Sequence, residues 1–148
     1  MPGLVRNVLA VVAGFVVGSL VNTALITLSP SLIPPPTGVD VSNAESLRSS
    51  IHLFEAKHFL MPFLAHALGT FAGALTAFLI AGSHKARVAY VIGFLFLLAG
   101  IAATFMIPAP VWFIALDLVL AYLPMAWLAI RTGARLQQEN PVSWTSEA

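Results

Sequence analysis

Apolar residues run at four places for lengths that suit a bilayer: residues 8 to 28, 59 to 82, 88 to 107 and 111 to 130. A helix rises about 1.5 Å per residue and the hydrocarbon core is about 30 Å thick, so roughly 20 apolar residues cross it. Each run therefore predicts one spanning helix. Asp117 is the only Asp, Glu, Lys or Arg inside any of them, and His66 the only histidine. The first run follows Arg6 and imitates a secretory signal, but it is longer than the usual signal core of about 7 to 15 residues and no A-x-A-like site follows. It is read as a retained span. Together the runs predict an all-α membrane protein, an antiparallel four-helix transmembrane bundle occupying residues 1 to 135, with a polar cytoplasmic tail over 136 to 148.

The connections are less uniform. Residues 29 to 58 form the one long loop, and Pro34, Pro35 and Pro36 force an extended backbone near its start. Beyond them Ser42 and Glu45 have capping-box spacing, and Leu47, Ile51, Phe54 and His58 fall on one helical face. This predicts a short amphipathic helix on the outer membrane surface that closes the mouth of the bundle. Pro62 stands in the first turn of the second span, where amides lack intrahelical partners anyway. Pro108 and Pro110 make a tight corner. Pro124 leaves the Leu120 carbonyl without its usual donor, which predicts a kink in the fourth span.

Small residues mark where membrane helices approach, because lipid tails give apolar side chains no reason to leave them. Gly14 and Gly18 form a G-x-x-x-G, and Gly69, Thr70, Gly73 and Ala77 share a face with His66. LAVVAGFVVGSL in the first span also aligns with LAHALGTFAGAL in the second, Gly14 on Gly69 and Gly18 on Gly73. Were this a duplication, it would be an inverted one. Exposed small-residue faces are expected to make contacts in a homo-oligomer or a larger membrane complex.

Composition agrees with the pattern. Of 148 residues 59% are hydrophobic and only 9% charged, with mean hydropathy +0.92, whereas soluble domains carry about 25% charged residues. The absence of cysteine excludes disulfides, thiol catalysis and thiolate-bound metals. A net charge of +1 with no basic patch argues against a nucleic-acid partner. Arg6, Lys85, Arg87, Arg131 and Arg135 fall on one side of the four spans, and only Arg48 and Lys57 on the other. The positive-inside rule then places both termini in the cytoplasm. Trp112 and Phe113 sit at the outer end of span four, Tyr90 and Trp127 near inner ends.

With topology assigned, Asn22, His66, Thr104 and Asp117 all lie roughly 5 to 10 Å below the outer boundary. An aspartate within a span costs on the order of 2.5 to 3.5 kcal/mol at the centre and less towards the interface, so it needs a reason. One reason is a proton-linked or cation-binding pair of Asp117 and His66, with Asn22 and Thr104 as neutral ligands. The other is a set of hydrogen bonds that locks the bundle. His52, Glu55 and His58 form a second cluster with spacing three, but H-x-x-E-x-x-H is not the zincin pattern and His58 falls in the apolar stripe, so a solvated or interfacial role is favoured over a metal site. No nucleophile elbow, phosphate loop, haem or iron-sulfur signature is present. Neither catalytic residues nor a cofactor are expected.

Four stretches, IPPP at 33 to 36, HLFEAKHF at 52 to 59, LAHALGT at 64 to 70 and PAPVWFIALDL at 108 to 118, resemble a group of small bacterial four-span membrane proteins. The likeness covers most of the chain. It implies a bacterial cytoplasmic membrane and carries over no activity and no residue roles. The reading preferred at this point is an accessory or structural membrane protein without catalytic activity; the alternative is a small proton- or cation-linked transporter or channel working at His66 and Asp117, and a membrane enzyme, metal-dependent through His52, Glu55 and His58, comes third.

Overall fold

A computed structural model describes residues 3 to 139; the expected tail lies largely outside that range. The regular structure among the described residues is helical throughout: α1 Gly3–Leu32, α2 Ala44–Ser50, α3 Leu60–Ile80, α4 Lys85–Met106, α5 Val111–Leu120 and α6 Leu123–Glu139, with two 3-10 turns at Ile51–Leu53 and Ala56–Phe59. Four helical stretches are long and apolar enough to cross a membrane, the fourth being α5 and α6 together. α6 runs on to Glu139, so the first residues assigned to the tail, Leu136 to Glu139, are still helical. These are good helix formers, and nothing in their sequence stops the helix.

α3 is the central element, touching α1, α4, α5 and α6. Its approach to α1 is backbone to backbone. A methyl placed on Gly14 would lie 2.6 Å from the Gly73 carbonyl oxygen, and one on Gly73 equally close to that of Gly14; Gly18 and Gly69 face each other at 2.7 and 2.9 Å. Gly14 thus meets Gly73 and Gly18 meets Gly69, the reverse of the sequence alignment. At their far end Arg6 Nε donates to the Ile80 carbonyl at 2.6 Å. Asn7 Oδ1 accepts from the Gly82 and Ser83 amides at 3.0 and 3.2 Å. A cation and an amide on one helix so satisfy groups left open at the C-terminal end of the next.

The remaining small residues face inward as well. Gly93 lies against Ala126, and Gly133 against Phe78. The core is built of Ala10, Ala74, Ala77, Ala89, Ala126 and Ala129 around Phe78, Ile92, Phe96 and Tyr122. The glycine faces expected to be exposed for oligomer contacts are therefore buried within the single chain. What stays outside is large and apolar: on α1, Leu4, Val8, Val12, Phe15 and Leu20 are exposed, and only 17% of that helix's most apolar window is buried. Such a surface calls for lipid or another protein rather than water.

The expected loop helix needs correction. The loop helix does not run from Ser42 to His58. α2 is seven residues long, and extended backbone at Phe54 and Glu55 separates the two 3-10 turns that follow it. Its cap is Asn43, whose side-chain oxygen accepts from the Glu45 and Ser46 amides at 2.9 and 3.2 Å. The Ser42 hydroxyl is turned away to Asp40 at 2.6 Å. The fourth long helix is interrupted where the proline was expected to disturb it: α5 ends at Leu120 and α6 begins at Leu123, just before Pro124. Proline removes one amide, and the interruption is slight, since Ala121 keeps right-handed helical dihedrals, φ −80° and ψ −14°.

Candidate functional site

Each residue at the centre of the site is seventh in its helix: His66 in α3 and Asp117 in α5. His66 Nδ1 lies 2.9 Å from Asp117 Oδ1 and 3.0 Å from Oδ2. Two nearly equal distances are the geometry of a ring N–H directed between both oxygens of an ionised carboxylate. A protonated carboxyl would instead aim one O–H at the ring. With the carboxylate taken as ionised and accepting from both neighbours, the proton of His66 is assigned to Nδ1.

Tyr122 completes the cluster. Its hydroxyl donates to Asp117 Oδ2 at 2.9 Å, its ring stacks on His66 with centroids 5.9 Å apart and planes at 27°, and it is 1% exposed. In an unbroken helix, residues five apart point about 140° away from each other. The interruption at Ala121 and Tyr122 is what lets the two side chains meet. Gly100 makes room for the phenol, since a methyl there would lie 2.6 Å from Tyr122 Cζ. Sequence reading missed Tyr122. The available signal was a tyrosine two residues before Pro124 and close to an intramembrane aspartate.

Asp117 is thus desolvated but satisfied by donors from two other parts of the chain, its side chain 7% exposed against 26% for His66. The difference matters. Among the described residues His66 Nε2 has no partner, and the ring forms part of the wall of a cavity of about 310 Å³. Leu47, Ile51, Phe54 and His58, the four residues expected on one face, roof this cavity although they come from a broken helix; Ile26, Ser29, Thr104, Ile107, Phe113 and Ile114 line its sides. Arg48 Nε donates to the Met106 carbonyl at 2.8 Å and fastens α2 to the end of α4. Phe59 packs on Trp112 and Phe113 with centroids 5.6 and 4.9 Å apart, tying the roof to α5.

The four polar residues expected at one level separate into three situations. His66 and Asp117 are joined. Thr104 lines the cavity, with its hydroxyl donating to the Ile101 carbonyl at 2.7 Å. Asn22 does not line the cavity. It packs against Gly69, and its Oδ1 is buried without a partner, as is Thr70 Oγ1. In the outer cluster, the Glu55 amide donates to His58 Nδ1 at 2.9 Å and Lys57 Nζ lies 3.2 Å from Glu55 Oε2. His58 and Glu55 cap a 3-10 turn, and no group of three His, Asp or Glu side chains with metal-binding geometry occurs among the described residues.

Comparison of the chain with protein-family models, with curated proteins and with solved structures finds no match.

Proposed function

We propose that this chain is an integral protein of the bacterial cytoplasmic membrane that moves a small solute in a proton-linked manner through the His66–Asp117 cavity. In this reading the four long helices cross the bilayer antiparallel to one another, both termini are cytoplasmic, and residues 33 to 59 lie on the outer surface with α2 at the interface. The apolar helices and the lysine and arginine bias support the placement. One observation carries the function: a buried carboxylate holds one nitrogen of His66, while the other nitrogen is left without a protein partner on a ring that walls a cavity. A pair serving only as adhesive has no need of a cavity beside it. Asp117 is then the positioning group that fixes the tautomer, and His66 meets the solute or proton. The interrupted helix beside the site is in keeping, since carriers build binding sites on discontinuous helices.

A second reading, an accessory subunit, rests on the exposed apolar face of α1, which a partner could cover as well as lipid. The two readings part on Asp117→Asn, which keeps the shape and removes the charge. In sealed proteoliposomes carrying a pH-sensitive dye, the wild type is expected to show solute-dependent proton movement that Asp117→Asn abolishes while the protein still assembles and melts near the wild-type temperature. Equal proton movement in both proteins refutes carriage. Loss of assembly in the variant, with no proton movement in the wild type, supports the accessory reading.

A further inference from the structure

We infer, resting on the proton-linked reading above, that the ligand of this cavity is a protonated amine with an apolar body, and that its N–H donates to Nε2 of His66. The charge inventory comes first. The polar groups around His66 and along the cavity are Asp117 from α5, Tyr122 ahead of α6, Thr104 from α4, Ser29 from α1 and His58 from the loop, and no lysine or arginine among the described residues lines the cavity. Arg48 and Lys57, the nearby cations of the loop, are bonded to Met106 and Glu55. With Asp117 ionised and His66 neutral the cavity carries one net negative charge in apolar surroundings, which favour a compensating positive charge. That charge is either a proton on Nε2 or a cation brought by the ligand.

The acceptor decides which cation. A neutral imidazole with Nδ1–H bound to a carboxylate presents a lone pair at Nε2, and a primary, secondary or tertiary ammonium has an N–H to give it. A quaternary ammonium has none. A hard metal ion wants about six oxygen ligands, whereas both oxygens of Asp117 are engaged and the lining adds only the hydroxyls of Ser29 and Thr104. The rest of the wall, Phe54, Phe59, Phe113, Ile51, Ile107 and Ile114, suits an apolar body, and aromatic faces add cation–π attraction. At about 310 Å³ the space is at the small end of ligand cavities, which run from about 300 to 1,000 Å³, enough for one ring and a short chain. Because the ammonium and the Nε2 proton claim the same lone pair, binding releases a proton whenever His66 starts protonated.

The test compares three probes of nearly the same shape on the wild-type protein in lipid nanodiscs, with empty nanodiscs as blank, by calorimetry between about pH 5.5 and 8: N,N-dimethylbenzylamine, benzyltrimethylammonium and isobutylbenzene. The tertiary amine is expected to bind at least tenfold more tightly than the other two at the upper pH, and it alone should weaken as pH falls. Ile107→Trp, which fills the cavity, should abolish its binding. If isobutylbenzene binds as well as the amine, the cavity takes neutral lipophiles and the amine inference is overturned, while proton-linked carriage stands or falls by the vesicle experiment. Equal binding of the tertiary and quaternary cations overturns the contact with Nε2. Binding unchanged by Ile107→Trp places it elsewhere and overturns the inference, and binding by none of the probes does the same.

Discussion

Replacing Gly73 with leucine tests whether the α1–α3 crossing holds the molecule together. A methyl at Gly73 would sit 2.6 Å from the Gly14 carbonyl oxygen, and 3.2 Å from Gly18 Cα and Ile92 Cγ2. Relief to an ordinary contact of about 3.4 Å needs a shift of roughly 0.8 Å, and the obstacle is helical backbone, which cannot rotate aside. A gap of 0.5 to 1 Å forfeits about a quarter to a half of the dispersion energy of the atoms it separates. For alanine, overpacking of about 1 to 3 kcal/mol is partly offset by about 1 kcal/mol of helix propensity. Leucine adds three further carbons where none fit, so the expected loss is about 3 kcal/mol or more. Gly14→Leu should cost a similar amount, and the double variant clearly less than the two together, because the first substitution already opens the crossing. Ala99→Leu, on the exposed face of α4, should stay within about 0.5 kcal/mol of wild type. Unfolding by SDS titration in mixed micelles measures all four. A Gly73→Leu protein within about 1 kcal/mol of wild type, or strict additivity with Gly14→Leu, would show that the contact is incidental.

Two further outcomes are expected. Tyr122→Phe removes a single hydrogen bond to a carboxylate that His66 still satisfies, and should cost on the order of 0.6 to 1.7 kcal/mol in the same titration; Asp117→Ala leaves both Nδ1 and the phenol without an acceptor and should cost more, so equal losses would contradict the network. In the loop, the Ser42 hydroxyl, followed by the Ser42 amide, holds the Asp40 carboxyl below its ordinary range. That turn is therefore favoured above the unfolded-state value of about 3.8 and loses this support as pH falls through the lower, folded value. Ser42→Ala should move the Asp40 titration upward in an NMR pH series, and an unmoved titration would contradict the assignment.

The helices were legible because a bilayer imposes one length on every run that crosses it, and their faces were legible because glycine and alanine are what permit close approach. Hence His66 could be assigned to a protein-facing side from Gly69 and Gly73 alone, and the depth shared with Asp117 brought the two within reach. Depth says nothing about direction around the axis, however. Asn22 lies at the right level but turns onto Gly69, and Thr104 gives its hydroxyl to its own helix, as threonines in helices commonly do. Tyr122 was hidden by periodicity itself, since a regular helix directs it away from Asp117. The cap of α2 was misplaced for a related reason. The capping-box pattern selects Ser42, but the residue whose backbone is extended at the helix start is Asn43, with φ −109° and ψ 119°, and its amide oxygen is at least as good an acceptor.

The break in the fourth helix and the buried charge are best understood together. Each alone is costly in an apolar medium, one by freeing backbone groups and the other by desolvation. Placed side by side, each reduces the cost of the other. The Ala121 amide still reaches the Asp117 carbonyl at 2.9 Å and the Ala126 amide the Tyr122 carbonyl at 2.9 Å, so few backbone groups are released, and the turn between them delivers a phenol to the carboxylate. α6 is held to α4 at Gly93 and to α3 at Gly133, while α5 is tied through Phe113 to the roof of the cavity. The bond from Tyr122 to Asp117 therefore joins a half-helix packed in the core to one packed against the roof. A proton or an ammonium arriving at His66 changes the charge that this bond sees. In the proposed carrier, occupancy of the cavity would reach the junction of α5 and α6 through this one hydrogen bond.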